Sequence, residues 1–144
     1  MRLSISEIVN KATELDTKER KVEWLRANDN AALRTVLNIM YNKNIKVLLP
    51  ATAPPWKKND YVGVEGMLYK EARRLKIFVE GGGYDNLNQV KREQLFIKLL
   101  EDIDNNDAEL LVKMIAQKPL KGLSRRAVSE AFPELGITEE KTDG

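Results

Sequence analysis

The chain has 144 residues, 42% hydrophobic and 32% charged, with a formal net charge of +2. That is enough for one domain with its own core, and no stretch is apolar enough to form a transmembrane helix. Cysteine and histidine are both absent, which excludes disulfides, Cys/His zinc sites, Ser-His-Asp triads and histidine general bases.

The start, MRLSISEIVNKATEL, is charged at Arg2 and Glu7, so no secretory signal is expected and a reducing cytoplasm suits the cysteine-free chain. Ile5, Ile8, Val9, Ala12 and Leu15 fall three and four apart and predict a first helix over about Ser6–Leu15. Asp16 and Thr17 form a stop and a start, each able to cap a second helix over about Lys18–Ala27. That helix buries Val22 and Leu25, with Trp24 on a flank. Asn28-Asp29-Asn30 is a turn with a cap built in. The third helix, about Ala31–Tyr41, bears Leu33, Val36, Leu37, Met40 and Tyr41.

Ile45–Leu49 either extends that helix or runs extended, and Pro50 ends it. From Pro50 to Gly66 three prolines, two glycines and no helical period predict a long loop, a feature that is often functional. Within it Trp56-Lys57-Lys58 sets an aromatic beside two cations, a pairing suited to stacking plus phosphate attraction. The plainer reading has Trp56 plugging the core and both lysines solvated.

Leu68, Ala72, Leu75 and Val79 predict a fourth helix over about Met67–Glu80. Its basic surface, Lys70, Arg73, Arg74 and Lys76, reads as a solvated face. Gly81-Gly82-Gly83 breaks it and, with no Lys-Ser/Thr behind, is no phosphate-binding loop. Asn86 is placed as the cap of a fifth helix, about Leu87–Ile103, whose Leu95, Phe96, Leu99, Leu100 and Ile103 make it the expected central one. Asp104–Asp107 reads as a polar turn and cap. It lacks the glycine and glutamate spacing of a calcium loop, so no metal is expected. The sixth helix, about Ala108–Gln117, buries Leu110, Leu111, Met114 and Ile115. The seventh, about Arg125–Phe132, stops at Pro133. The expected architecture is all-α: one domain over 1–137, a compact bundle of six to seven short helices with one long Pro/Trp-containing loop, then a polar tail over 138–144.

The turn between the last two helices concentrates the candidate chemistry. Lys118, Lys121, Arg125 and Arg126 surround Pro119 and Gly122, and Ser124 opens the next helix. A helix N-terminus offers free N–H groups and partial positive charge, so phosphate is a natural ligand. Lys18, Arg20 and Lys21, behind Thr17, are cations where the helix macrodipole disfavours them, which an anionic partner would offset. The candidate phosphate contacts are therefore Lys118, Lys121, Gly122, Ser124, Arg125, Arg126, Thr17, Lys18 and Lys21, with Lys57 and Lys58 from the loop. No helix has a base-reading signature, so sequence-independent binding is expected.

Three segments resemble the N-terminal DNA-binding domain of the T-even bacteriophage ATP-dependent DNA ligases. The first, Ile8–Tyr41, has Asp16-Thr17-Lys18, Arg20-Lys21, Leu25, Asn28, Asp29-Asn30, Leu33, Arg34, Val36 and Tyr41 in the ligase pattern. The second is the apolar run into the Pro- and Trp-containing loop, Ile45–Lys58. The third runs from Asn105-Asn106-Asp107 through Leu111 to Gly122, Ala127, Phe132 and Pro133. Where the ligase pattern has an apolar residue three before the glycine, this chain has Pro119, followed by Leu120. The resemblance implies a helical bundle that grips duplex DNA by its backbone, largely in the minor groove, without catalysis or cofactor. A phage-encoded, non-enzymatic module in the host cytoplasm is thus expected, with duplex DNA and a phage or host DNA-processing protein as partners. Lys141-Thr142-Asp143-Gly144 matches the ligase pattern Lys-x-Asp-Gly, yet with no nucleotide pocket or metal carboxylates behind it no catalysis is expected. The alternative is a protein-interaction or virion-associated module that lost DNA binding, favoured by the acidic stretch Glu101–Glu109 and the small net charge.

Overall fold

The computed structural model describes residues 2–59 and 67–137. The far part of the long loop and the tail with Lys141-Thr142-Asp143-Gly144 lie outside the described residues.

Side-chain caps set most helix starts. In α1 (Ile5–Glu14) the Ser4 hydroxyl accepts from the Glu7 amide at 3.2 Å while the Glu7 carboxylate accepts from the Ser4 amide at 2.9 Å. This reciprocal pair satisfies two amides the helix cannot. Thr17 caps α2 (Lys18–Ala27) and Asn30 caps α3 (Ala31–Tyr41), with the boundaries the sequence predicts. Asn88, two residues beyond the expected Asn86, caps α5 (Gln89–Asp102). Asp104 accepts from the amides of Asn106 and Asp107, so α6 (Asn105–Ala116) starts a turn earlier than its apolar stripe suggests. Ser124 caps α7 (Arg125–Ala131), and Pro133–Leu135 adds a 3₁₀ turn.

The centre is α3, not α5. Its sequence, AALRTVLNIMY, bears one charge, so it buries Ala32, Leu33, Val36, Leu37, Ile39, Met40 and Tyr41 and packs against α6, α7 and the segment beginning at Met67. The more charged α5 buries Phe96, Leu99 and Leu100 on one side only.

The expected fourth helix differs most. The chain is α-helical only over α4 (Met67–Glu71) and then winds as a 3₁₀-helix over Ala72–Phe78. The tighter turn buries Ala72, Leu75 and Phe78 at three-residue spacing. Phe78, in place of Val79, enters the core and meets Phe96 edge-on, centroids 5.2 Å apart. Val79 instead pairs with Val47 in an isolated antiparallel bridge: the Leu48 amide donates to the Phe78 carbonyl at 2.7 Å, and the Glu80 amide to Lys46 at 2.9 Å. Ile45–Leu49 therefore runs outside any helix. Arg92, 3% exposed, locks this corner, donating to the carbonyls of Ile77 (3.1 Å) and Tyr84 (2.6 Å) and to the Gln89 side chain (2.7 Å).

The protein is all-α, and among the described residues no helix is long and apolar enough to cross a membrane.

Candidate nucleic-acid interface

The chain leaves α6 at Gln117, which sits in the left-handed region (φ 52°). A non-glycine residue there is strained, and its side chain compensates by donating to the carbonyls of Ile39 (3.0 Å) and Ile45 (2.9 Å). Pro119 cannot continue a helix. Leu120–Leu123 then closes a turn, the Leu123 amide donating to the Leu120 carbonyl at 3.0 Å with Gly122 at φ 89°. A type II turn demands positive φ at this third position. A Cβ on Gly122 would stand 2.5 Å from the Thr13 carbonyl oxygen, so the close approach to α1 also requires glycine.

The turn is pinned from below by Tyr41, the last residue of α3. Its hydroxyl accepts from the Leu120 amide at 3.0 Å and donates to the Leu123 carbonyl at 2.8 Å. Burial pushes this phenol up to about 12, against the opposing pull of the Leu120 amide and the Arg125 charge. Arg125 is also part of the pin. It is 4% exposed, and its Nε donates to the Tyr41 carbonyl at 3.1 Å. The expectation that Arg125 faces a phosphate is therefore corrected: opening α7, it points into the protein and braces α3.

Above the pin lies a cleft of about 360 Å³ between the start of α2 and the turn, lined by Lys18, Lys21, Leu120, Gly122, Ser124 and their neighbours. Four of the sequence-predicted residues thus meet in one place. The Lys21 ammonium donates to the Gly122 carbonyl. Lys18 donates to the Glu130 carboxylate at 2.8 Å, and the 66%-exposed Arg126 approaches the same carboxylate at 3.5 Å. Those hydrogen bonds, Lys18 first, hold the Glu130 carboxyl below its ordinary range. The Thr17 and Ser124 hydroxyls cap their own helices, accepting from Arg20 and Ala127, so their contribution to the cleft is positional. Lys118 and Lys121 are exposed on the turn.

Other candidates lie apart. Arg20 pairs with Asp16 at 3.1 Å and lines a shallow depression with Leu15 and Trp24. Trp56 packs against the core, its indole nitrogen buried without an acceptor among the described residues. Lys57 and Lys58 are exposed beside it, where the Lys57 amide donates to Glu101 at 2.8 Å, and they do not line the cleft. Much of the acidic stretch is engaged internally, although Glu109 is exposed and one Asp107 carboxylate oxygen is buried without a donor among the described residues. Asp102 pairs with Lys98 and Arg74, Asp104 caps α6, and the fully buried Asp107 accepts from the Ser6 amide at 2.8 Å. Burial raises the Asp107 carboxyl. Among the described residues no three carboxylates gather where a metal could sit.

Sequence reasoning missed Tyr41, Gln117 and Glu130. A phenol ending an apolar stripe needs a buried partner, which is a signal for Tyr41. Arg126 and Glu130, four apart on a helix, are a readable pair. Nothing local marks Gln117.

Residues 8–121 match the Family of unknown function (DUF6433), and the chain belongs to that family. No curated protein and no solved structure matches it.

Proposed function

We propose that the protein is a non-catalytic, sequence-independent duplex-DNA-binding module that contacts the phosphate backbone at the cleft between α2 and the Leu120–Ser124 turn. One observation supports this reading above the others. Lys18 and Lys21 share a cleft with Gly122 and Ser124, contributed by a distant part of the sequence. Lys121 and Arg126 are exposed close by in the chain. In the free protein the ammonium groups of Lys18 and Lys21 rest on an internal carboxylate and a carbonyl. A backbone phosphate offers the same acceptor chemistry with a full negative charge, so it can replace those contacts. The resemblance of these segments to the ligase N-terminal domain points the same way.

The test is a titration of labelled duplex at about 50 mM and 200 mM salt, comparing the native protein with Lys18→Glu/Lys121→Glu/Arg126→Glu. Affinity that falls steeply with salt, is indifferent to base sequence and is lost in the variant supports the reading. Absence of binding at the lower salt ends it. Arg125→Glu is unsuitable, because it would bury an unpaired carboxylate under the turn and unfold it.

The second reading, a protein-interaction module, has the small net charge behind it. Its other support weakens, since Glu101, Asp102, Asp104 and Asp107 are engaged by the protein's own groups. Native protein that ignores DNA yet retains a specific protein partner would favour it.

A further inference from the structure

The 3₁₀ winding of Ala72–Phe78 has an outer side as well as the inner one. Buried, half-buried and exposed residues repeat every three positions: Ala72, Leu75 and Phe78 inside, Arg74 and Ile77 at the margin, Arg73 and Lys76 outside. Lys70, at the end of α4, continues the outer row backwards. In a 3₁₀-helix residues three apart eclipse one another, each step rising about 6 Å. In an α-helix each such step would rotate by about 60° and fan the cations around the surface. Here Arg73 and Lys76 stand one above the other on the outer face, and Lys70, three residues earlier in the last turn of α4, is exposed just before them.

Two further facts separate this row from an ordinary solvated face. Among the described residues none of the three has an ion-pair partner, although carboxylates are close in the chain. The nearby Arg74 takes those carboxylates, pairing with Glu71 at 2.9 Å and Asp102 at 3.4 Å, and so leaves the row. The base beneath is also well anchored, by the Phe78–Phe96 contact and by the Val47–Val79 bridge at its end.

We propose that Lys70, Arg73 and Lys76 form a second nucleic-acid contact, one that follows successive phosphates along a single strand of the backbone. Three exposed cations in succession, Arg73 and Lys76 eclipsed and about 6 Å apart along the 3₁₀ axis, are matched in charge to neighbouring phosphates on one strand. The α2–α7 cleft, a concave site, receives backbone at one point; the row tracks it along a line. The proposal shares nucleic-acid binding with the cleft reading but uses different residues on different elements, so the two fail separately.

The test compares three triple variants by duplex titration at about 50 mM and 200 mM salt. Lys70→Gln/Arg73→Gln/Lys76→Gln removes the row. Lys11→Gln/Lys91→Gln/Lys113→Gln removes the same charge from exposed positions elsewhere. Lys18→Glu/Lys121→Glu/Arg126→Glu disables the cleft. Thermal melts confirm that all three fold, which solvent-facing glutamines allow in the first two and which the glutamate variant must show before its binding is read. Three lost phosphate contacts make the slope of log affinity against log salt shallower by roughly 2.7 in the row variant, with little change in the charge-matched control. Equal change in those two variants, or none in the row variant, overturns the proposal. If only the cleft variant loses binding, the cleft reading stands and the row does not. If only the row variant loses it, the reverse holds. No binding by the native protein overturns both.

Discussion

Tyr41 satisfies two backbone groups of the Leu120–Leu123 turn with a single hydroxyl. Tyr41→Phe leaves the half-buried Leu120 amide and the buried Leu123 carbonyl without that partner, at a cost of about 1–3 kcal/mol near neutral pH. The same residue imposes a pH dependence whose sign follows from its raised phenol. Below the ordinary value of 10.0, folded and unfolded chains both hold the proton, and the contribution is fully present. Between there and about 12 the unfolded chain releases the proton first, so it binds fewer protons and stability falls as pH rises. Two pH units of displacement correspond to about 3 kcal/mol lost across that window. Urea unfolding followed through it should show the native protein losing stability faster than Tyr41→Phe, the two curves converging at the alkaline end. Parallel curves would mean that the phenol titrates as it does in water.

At the scale of elements, the segment from Lys76 to Gln89 depends on one guanidinium. Arg92 spans Ile77, Tyr84 and Gln89 from a fully packed position, and the fork geometry is what lets one side chain reach all three. Arg92→Lys keeps the charge and loses the fork, so it should cost about 3 kcal/mol, close to Arg92→Leu. A lysine variant melting within a degree or two of the native protein would show that charge alone suffices. These elements also mark the limits of reading a sequence. The first helix was legible from its apolar stripe, though its Ser4 cap was not read, and the next two were legible because their caps, Thr17 and Asn30, are short-range devices whose partners lie three residues away. The 3₁₀ stretch was not, because the choice of Phe78 over Val79 as the buried residue is made by Phe96 and Val47, which are distant in sequence. The basic turn was legible as a cluster of cations. Which of them face outward was not: Arg125 is drawn inward by the carbonyl of Tyr41, and Lys18 is tied to Glu130, contacts that no local pattern encodes.

At the scale of the whole molecule, the formal charge of +2 understates how unevenly the cations are held. Glu130 holds back Lys18 and Arg126 at the cleft, while Lys70, Arg73 and Lys76 stand in a row without ion pairs among the described residues. Removing the internal competitor with Glu130→Gln should tighten duplex binding several-fold and steepen its salt dependence, since two cations are released for phosphate. Unchanged affinity in that variant would place the contact away from the cleft. The pin beneath the turn has a consequence for motion as well. The end of α3 is joined to the connection after α6 by Gln117, by the Tyr41 hydroxyl and by Arg125, three links that share one short piece of helix. The two segments should therefore open together, and hydrogen exchange should find their amide protons at a common free energy; clearly different values would show that the links do not couple them. A ligand held at the cleft, if the proposed reading is right, would then slow exchange in the central helix as well as in the turn.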